Sequence, residues 1–179
     1  PFVPPVRPAR ITEPGFVLMV SRRDPHKNLC RAVEAWASVD APPLVIVGPN
    51  DDRYPELPDA IRCSKKSDQI FEIESVDPAE LEWLYGNAAV LLFPSFAEGF
   101  GLPPMEAALR SCPIVASNCG ALPELLQGGY MEVDPASVHS IAAGLMRQLH
   151  LSAHPEGLGI PSVGDHASKV CTLMAGLSC

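Results

Sequence analysis

Short, almost unbroken apolar runs recur along this chain, and the stretches between them return to one-sided, helical spacing. The runs cover residues 16–20, 44–47, 70–73, 89–93, 114–117 and 131–133. Each is too short for a helix, and the runs at 16–20, 44–47 and 89–93 are apolar on both alternating faces, as in strands buried on two sides. Between the first two, Leu29, Val33, Trp36 and Ala37 fall on one helical stripe, with Asn28 placed as its N-cap. A short helix is expected within the polar stretch 51–61. Asp77-Pro78-Ala79-Glu80 reads as a capping box with proline at the first helical position, and Leu81, Leu84 and Tyr85 form the inward face. Helices are also expected over 103–110, 123–126 and 137–149, the last with Val138, Ile141, Leu145 and Leu149 on one stripe. Residues 150–164 read as irregular, and 165–177 as a closing helix.

Apolar strands alternating with one-sided helices predict an α/β fold. The expected form is a Rossmann-like, doubly wound parallel sheet of about six strands with helices on both faces. Residues 1–14 are proline-rich and aperiodic and read as a linker; residues 15–179 read as one domain. The twenty prolines fall largely at segment joints, where they punctuate rather than disrupt. No internal repeat or low-complexity tract is present. With no initiator Met and no signal-peptide pattern, the chain reads as a piece of something longer.

Composition narrows the function. Hydrophobic residues make up 47%, enough for a full core, and the net charge is −8. An acidic chain lacks the basic face that broad nucleic-acid binding needs, so any anion site must be local. No apolar run approaches the length of a membrane span. The six cysteines form no C-x-x-C pair and no zinc spacing with histidine, and they read as reduced thiols of a cytoplasmic protein. Asp51-Asp52, two adjacent acids with no third ligand, read as a turn, and no metal site is expected.

Two constellations carry candidate chemistry. The first is Ser21-Arg22-Arg23-Asp24-Pro25-His26-Lys27-Asn28, between the first strand and the first helix. Clustered cations beside a helix start suit a phosphate: Arg22 as a bidentate partner, Lys27 as a point charge. The competing account is a solvated basic loop. His26 reads as an exposed loop residue or a minor phosphate contact rather than a proton shuttle. The second is Glu98-Gly99-Phe100-Gly101-Leu102-Pro103-Pro104-Met105-Glu106, a glycine turn from the fourth strand into a helix. Its glycines let backbone N–H groups approach an anion, and its two carboxylates accept hydrogen bonds from hydroxyl groups. Phosphate and polyol on one molecule describe a nucleotide sugar. The competing account is a structural turn with a surface acid, and Glu106 favouring the helix dipole.

In order along the chain, Arg22 and Lys27, the two glutamates with seven residues between them, and Pro113-Ile114-Val115-Ala116-Ser117 with Pro123-Glu124 resemble the retaining GT-B glycosyltransferases of family 4. The likeness covers roughly residues 16–149 and is to the carboxyl-terminal, donor-binding half. It implies that Arg22 and Lys27 neutralise the donor diphosphate. It implies that the amides of Gly99, Phe100, Gly101 and Leu102 hold phosphate or sugar oxygens. Glu98 would face the donor sugar near its anomeric carbon, and Glu106 the ribose. The donor would be a UDP-, GDP- or ADP-sugar, with no cofactor required. The acceptor, a glycan or lipid-linked sugar, would bind an amino-terminal half absent here, with peripheral contact at the inner face of a membrane left open. Ser111 and Glu74 stand where the family usually has glycine, the latter near the nucleobase region. The same architecture serves sugar-nucleotide epimerases and sugar-phosphate synthases, and a non-catalytic nucleotide-binding or subunit-interaction domain is the alternative outside enzymes.

Overall fold

A computed structural model describes residues 4–11, 13–51 and 53–153. Six strands, β1 (Val17–Val20), β2 (Leu44–Val47), β3 (Ile70–Ile73), β4 (Val90–Phe93), β5 (Ile114–Ser117) and β6 (Met131–Val133), form one sheet in the order β3-β2-β1-β4-β5-β6. Every pairing is parallel, with Val17 opposite both Leu44 and Val90. Helices α1 (Leu29–Ala37), α2 (Glu56–Cys63), α3 (Pro78–Asn87), α4 (Leu102–Leu109), α5 (Leu122–Leu126) and α6 (Val138–Ala153) fill the crossovers.

The apolar runs of β1, β2 and β4 are unbroken because each of these strands feeds two cores. Val17, Met19, Leu44, Ile46, Val90 and Leu92 face one layer, where Trp36, Val33, Leu57, Ile141 and Leu145 of α1, α2 and α6 pack. The intervening Leu18, Val45, Leu91 and Phe93 face the other, with Leu84, Tyr85, Ala107, Leu122 and Leu126 of α3, α4 and α5. Only β3, at the sheet edge, is half-buried throughout, which accommodates Glu72 within its run.

The expected capping box is present. Asp77 Oδ1 accepts from the Glu80 N–H at 2.8 Å, and Glu80 Oε2 accepts from the Asp77 N–H at 3.0 Å. One boundary differs from expectation: α6 continues to Ala153, so residues 150–153 are helical rather than irregular. Nothing in that turn breaks a helix, and the apolar stripe extends through Leu149, which packs against the core. The helix expected over 165–177 lies outside the described residues. The proline-rich opening segment lies along the sheet's α3 side: the Val6 N–H donates to the Ala79 carbonyl at 3.0 Å, and Ile11 is buried with the α3–α5 core.

The chain runs from β1 outward to β2 and β3, then returns to the other side of β1 for β4. The connections leaving β1 and β4 at their carboxyl ends therefore diverge to opposite faces, which opens a crevice between them. Asp77→Ala removes one half of the capping box and should cost about 1 kcal/mol of stability. In urea unfolding this appears as a lower midpoint with an unchanged m-value.

Candidate functional site

The β1–α1 connection carries Lys27 at the end of a single 3-10 turn, Pro25–Lys27. The β4–α4 connection carries Glu98. Across the crevice, Lys27 Nζ meets Glu98 Oε2 at 2.7 Å. The two side chains are 17% and 10% exposed, so water screens this pair far less than a surface one. The ammonium also lies 5.5 Å from the centroid of the Phe93 ring. The other carboxylate oxygen, Glu98 Oε1, accepts from the Gly101 N–H at 3.2 Å. Both oxygens of Glu98 are thus engaged, one by a side chain of the opposite loop and one by the start of α4.

The backbone beneath this pair is held from three sides. The Phe96 N–H donates to the His26 carbonyl at 2.8 Å, joining the two loops directly. Asn28, 4% exposed, donates through Nδ2 to the carbonyls of Pro94 at 2.9 Å and Pro135 at 2.8 Å. This corrects the expectation of a side-chain cap: Asn28 stands at the N-cap position of α1, but in the left-handed region (φ 61°) with no cap hydrogen bond. Its amide ties the ends of β1, β4 and β6 together instead. From the end of β5 and the loop after it, Ser117 Oγ and Cys119 Sγ both donate to the Ser95 carbonyl. Gly120 (φ +57°) lies so close that a Cβ there would stand 1.9 Å from the Glu98 carbonyl oxygen.

The two glycines of the turn differ in what they meet. Gly101 is required: it caps α4 with φ +72°, and a Cβ would meet Leu122 Cδ2 at 2.6 Å. Gly99 has no such need, for a Cβ there would meet nothing within 4 Å. Pro103 and Pro104 occupy the first turn of α4 and carry no N–H, so the amides of this end come from the turn itself. Of these, Gly101 is taken by Glu98; Gly99, Phe100 and Leu102 belong to exposed residues. Phe100 is 49% exposed, and Phe96, also exposed, has the Arg31 guanidinium 5.4 Å from its ring centroid.

Glu106 sits within α4, and its Oε2 accepts from the Tyr85 hydroxyl at 2.9 Å. Burial raises the Tyr85 phenol, and the charge of Glu106 and the hydrogen bond to it raise it further, so Tyr85 stays a neutral donor. Glu106 and Glu98 are therefore held by different groups, one toward α3 and one toward the β1 loop. Arg22, 73% exposed, reaches only as far as Asp24, at 3.9 Å. Arg23 leaves the loop altogether: it is buried and its Nη1 pairs with Glu72 Oε2 of β3 at 2.7 Å. The basic cluster thus resolves into one structural cation, one exposed cation and one cation in the crevice.

At the ends of β2 and β3, Asn50 donates to the carboxylate of Glu74. Asp51 forms the turn expected of it: the hydrogen bond from Arg53 lowers its carboxyl to about 2. Among the described residues, no three His, Cys, Asp or Glu side chains group as metal ligands, and Cys30, Cys63, Cys112 and Cys119 are free thiols. Also among them, no helix is long and apolar enough to cross a membrane. The crevice therefore offers an ammonium, a carboxylate and turn amides at the carboxyl edge of a parallel sheet, which suits a ligand with both anionic and hydroxyl groups.

The family model of glycosyl transferases group 1 matches residues 6–160. The O-antigen chain mannosyltransferase B of Escherichia coli is 29% identical over 140 residues, 75% of this chain and 37% of that protein. The O-antigen chain mannosyltransferase RfbU of Salmonella typhimurium is 31% identical over 124 residues, 68% of this chain and 35% of that protein. The chain thus spans about a third of the length of these relatives. Among solved structures, the C-terminal domain of a group 1 family glycosyl transferase from Francisella tularensis superposes with a TM-score of 0.71 at 24% identity. That match covers 91% of this chain and 88% of the other.

Two substitutions test this scaffold. Asn28→Asp replaces a double donor by an acceptor facing two carbonyls and should destabilise by about 3 kcal/mol or more. Gly120→Ala forces the β5–α5 loop off the Glu98 carbonyl and should cost about 2 kcal/mol or more. Chemical denaturation of each variant reads both values.

Proposed function

The chain belongs to the group 1 glycosyl transferases, and from that premise we propose that it is the nucleotide-sugar-binding half of a retaining glycosyltransferase. The full protein moves a hexose from a nucleotide diphosphate sugar to a glycan or lipid-linked acceptor. The mannosyltransferase relatives favour mannose as that hexose. The observation that carries the reading is the meeting of Lys27 and Glu98 at the β1/β4 switch point of an otherwise acidic chain.

The chemistry follows from charge. In transfer, the bond between the anomeric carbon and the diphosphate oxygen breaks, and its electron pair leaves with the diphosphate. The acceptor oxygen bonds the same carbon, and its proton leaves toward the departing group. Negative charge therefore grows on the diphosphate, and Lys27, with Arg22 swung in from solvent, stabilises that growth without a metal ion. A preplaced donor such as Lys27 contributes on the order of 3 kcal/mol to such a step. Glu98 accepts from hydroxyls of the donor sugar, and Glu106 from those of the ribose, with Tyr85 holding the Glu106 carboxylate in place. The amides of Gly99, Phe100, Gly101 and Leu102 serve phosphate or sugar oxygens at the head of α4. The nucleobase lies toward the ends of β2 and β3, where the Asn50–Glu74 contact replaces the open surface a glycine would leave.

Isothermal titration of the 179-residue chain with UDP, GDP and ADP checks the site. At least one should bind, with Kd on the order of 0.1–1 mM. Lys27→Ala should weaken that binding by about tenfold or more, the loss of one charge-assisted hydrogen bond. Silence with all three nucleotides at millimolar concentration removes the donor-site reading.

A further inference from the structure

The Lys27–Glu98 pair presents a conflict that the proposed function leaves open. Both groups are assigned to the donor, yet in the structure they hold each other. Glu98 holds the ammonium through Oε2 and the Gly101 amide through Oε1, at 2.7 and 3.2 Å. These are the same two kinds of donor that a diphosphate would recruit, a cation and a turn amide. A carboxylate accepts hydrogen bonds only, as phosphate oxygens do.

We propose that Glu98 is an internal substitute for the diphosphate: it occupies the anion site while the crevice is empty and is displaced when the diphosphate arrives. This inference rests on the donor-site reading above. The largely buried ammonium needs a counter-charge at all times, because an unpaired buried cation is costly. Among the described residues, Glu98 is the only carboxylate within ion-pair distance of it. A diphosphate carries more negative charge than one carboxylate, so it wins the ammonium by Coulomb attraction without leaving it bare. The Glu98 carboxylate, released, is then free for the sugar hydroxyls. Only its side chain can make this exchange. The Glu98 carbonyl is backed by Gly120, the Ser95 carbonyl is held by Ser117 and Cys119, and the Phe96 N–H is held by His26. Glu98 thus becomes available to the sugar only once the phosphates are in place.

Competition predicts a gain of function from a loss of charge. Glu98→Gln should bind inorganic pyrophosphate, and the nucleoside diphosphate that the unmodified chain prefers, about tenfold more tightly, the ratio for one charge-assisted hydrogen bond no longer contested. In a Lys27→Met background the same substitution should give a smaller gain, because the contested cation is gone. A gain that is equal or larger there marks simple field repulsion and overturns the proposal, as does unchanged or weaker binding by Glu98→Gln. A readout without substitutions guards against a misfolded variant. The 13C carboxyl resonance of Glu98 in the unmodified chain should move on saturation with pyrophosphate, and a resonance that stays put at saturation overturns the exchange. If the unmodified chain binds its nucleotide and these signatures fail, only the exchange falls. If it binds neither nucleotide nor pyrophosphate, the donor site falls with it.

Discussion

β1 is paired on both edges, to β2 on one side and β4 on the other, and the chain must visit both sides in turn. Right-handed crossovers then send the β1–α1 connection to one face and the β4–α4 connection to the opposite face. Beyond the carboxyl ends of these two strands the loops are joined by the Phe96–His26 backbone bond and by the side chains they supply. Everything at the site follows from that divergence: Lys27 arrives from one loop, Glu98 from the other, and they meet in the gap.

A gap between diverging loops is a weak place in a sheet, and the structure closes it with buried polar bonds rather than with more apolar packing. Asn28 spans the ends of three strands through one amide group, and Ser117 reaches back to the carbonyl of Ser95. Such bonds are modest in net energy but expensive to break, since each would strand a buried carbonyl. That asymmetry makes the loop backbones rigid. The long, charged side chains of Lys27 and Glu98 then stand on a fixed backbone.

The cores at both faces were readable residue by residue, because an apolar run shared between two layers has no other soluble home. The capping box at Asp77 was readable for the same local reason: both partners lie within one turn of chain. At the site, reading by local rules misassigned the residues whose partners are distant. Asn28 looks like a cap in sequence and is a bridge in space; Arg23, one cation of a basic loop with no role legible in the sequence, is a buried partner of Glu72. Gly120, and the bond that Ser117 makes beyond its place in the fifth apolar run, were not legible because each depends on a loop more than twenty residues away in the chain: Ser117 on the Ser95 carbonyl and Gly120 on the Glu98 carbonyl.

The sequence by itself determined which segments are strands, which are helices, and that a basic loop and an acidic glycine turn each follow a strand. Those are matters of period, cap and local sterics, settled within a few residues. Only the tertiary structure decided that Lys27, and not Arg22 or Arg23, stands against Glu98, and that Glu106 faces Tyr85 instead. Neighbouring cations on one loop are equivalent to any local rule. Which of them enters the crevice depends on where the strand ends place the loop and on which acid, from a distant strand or turn, it finds there.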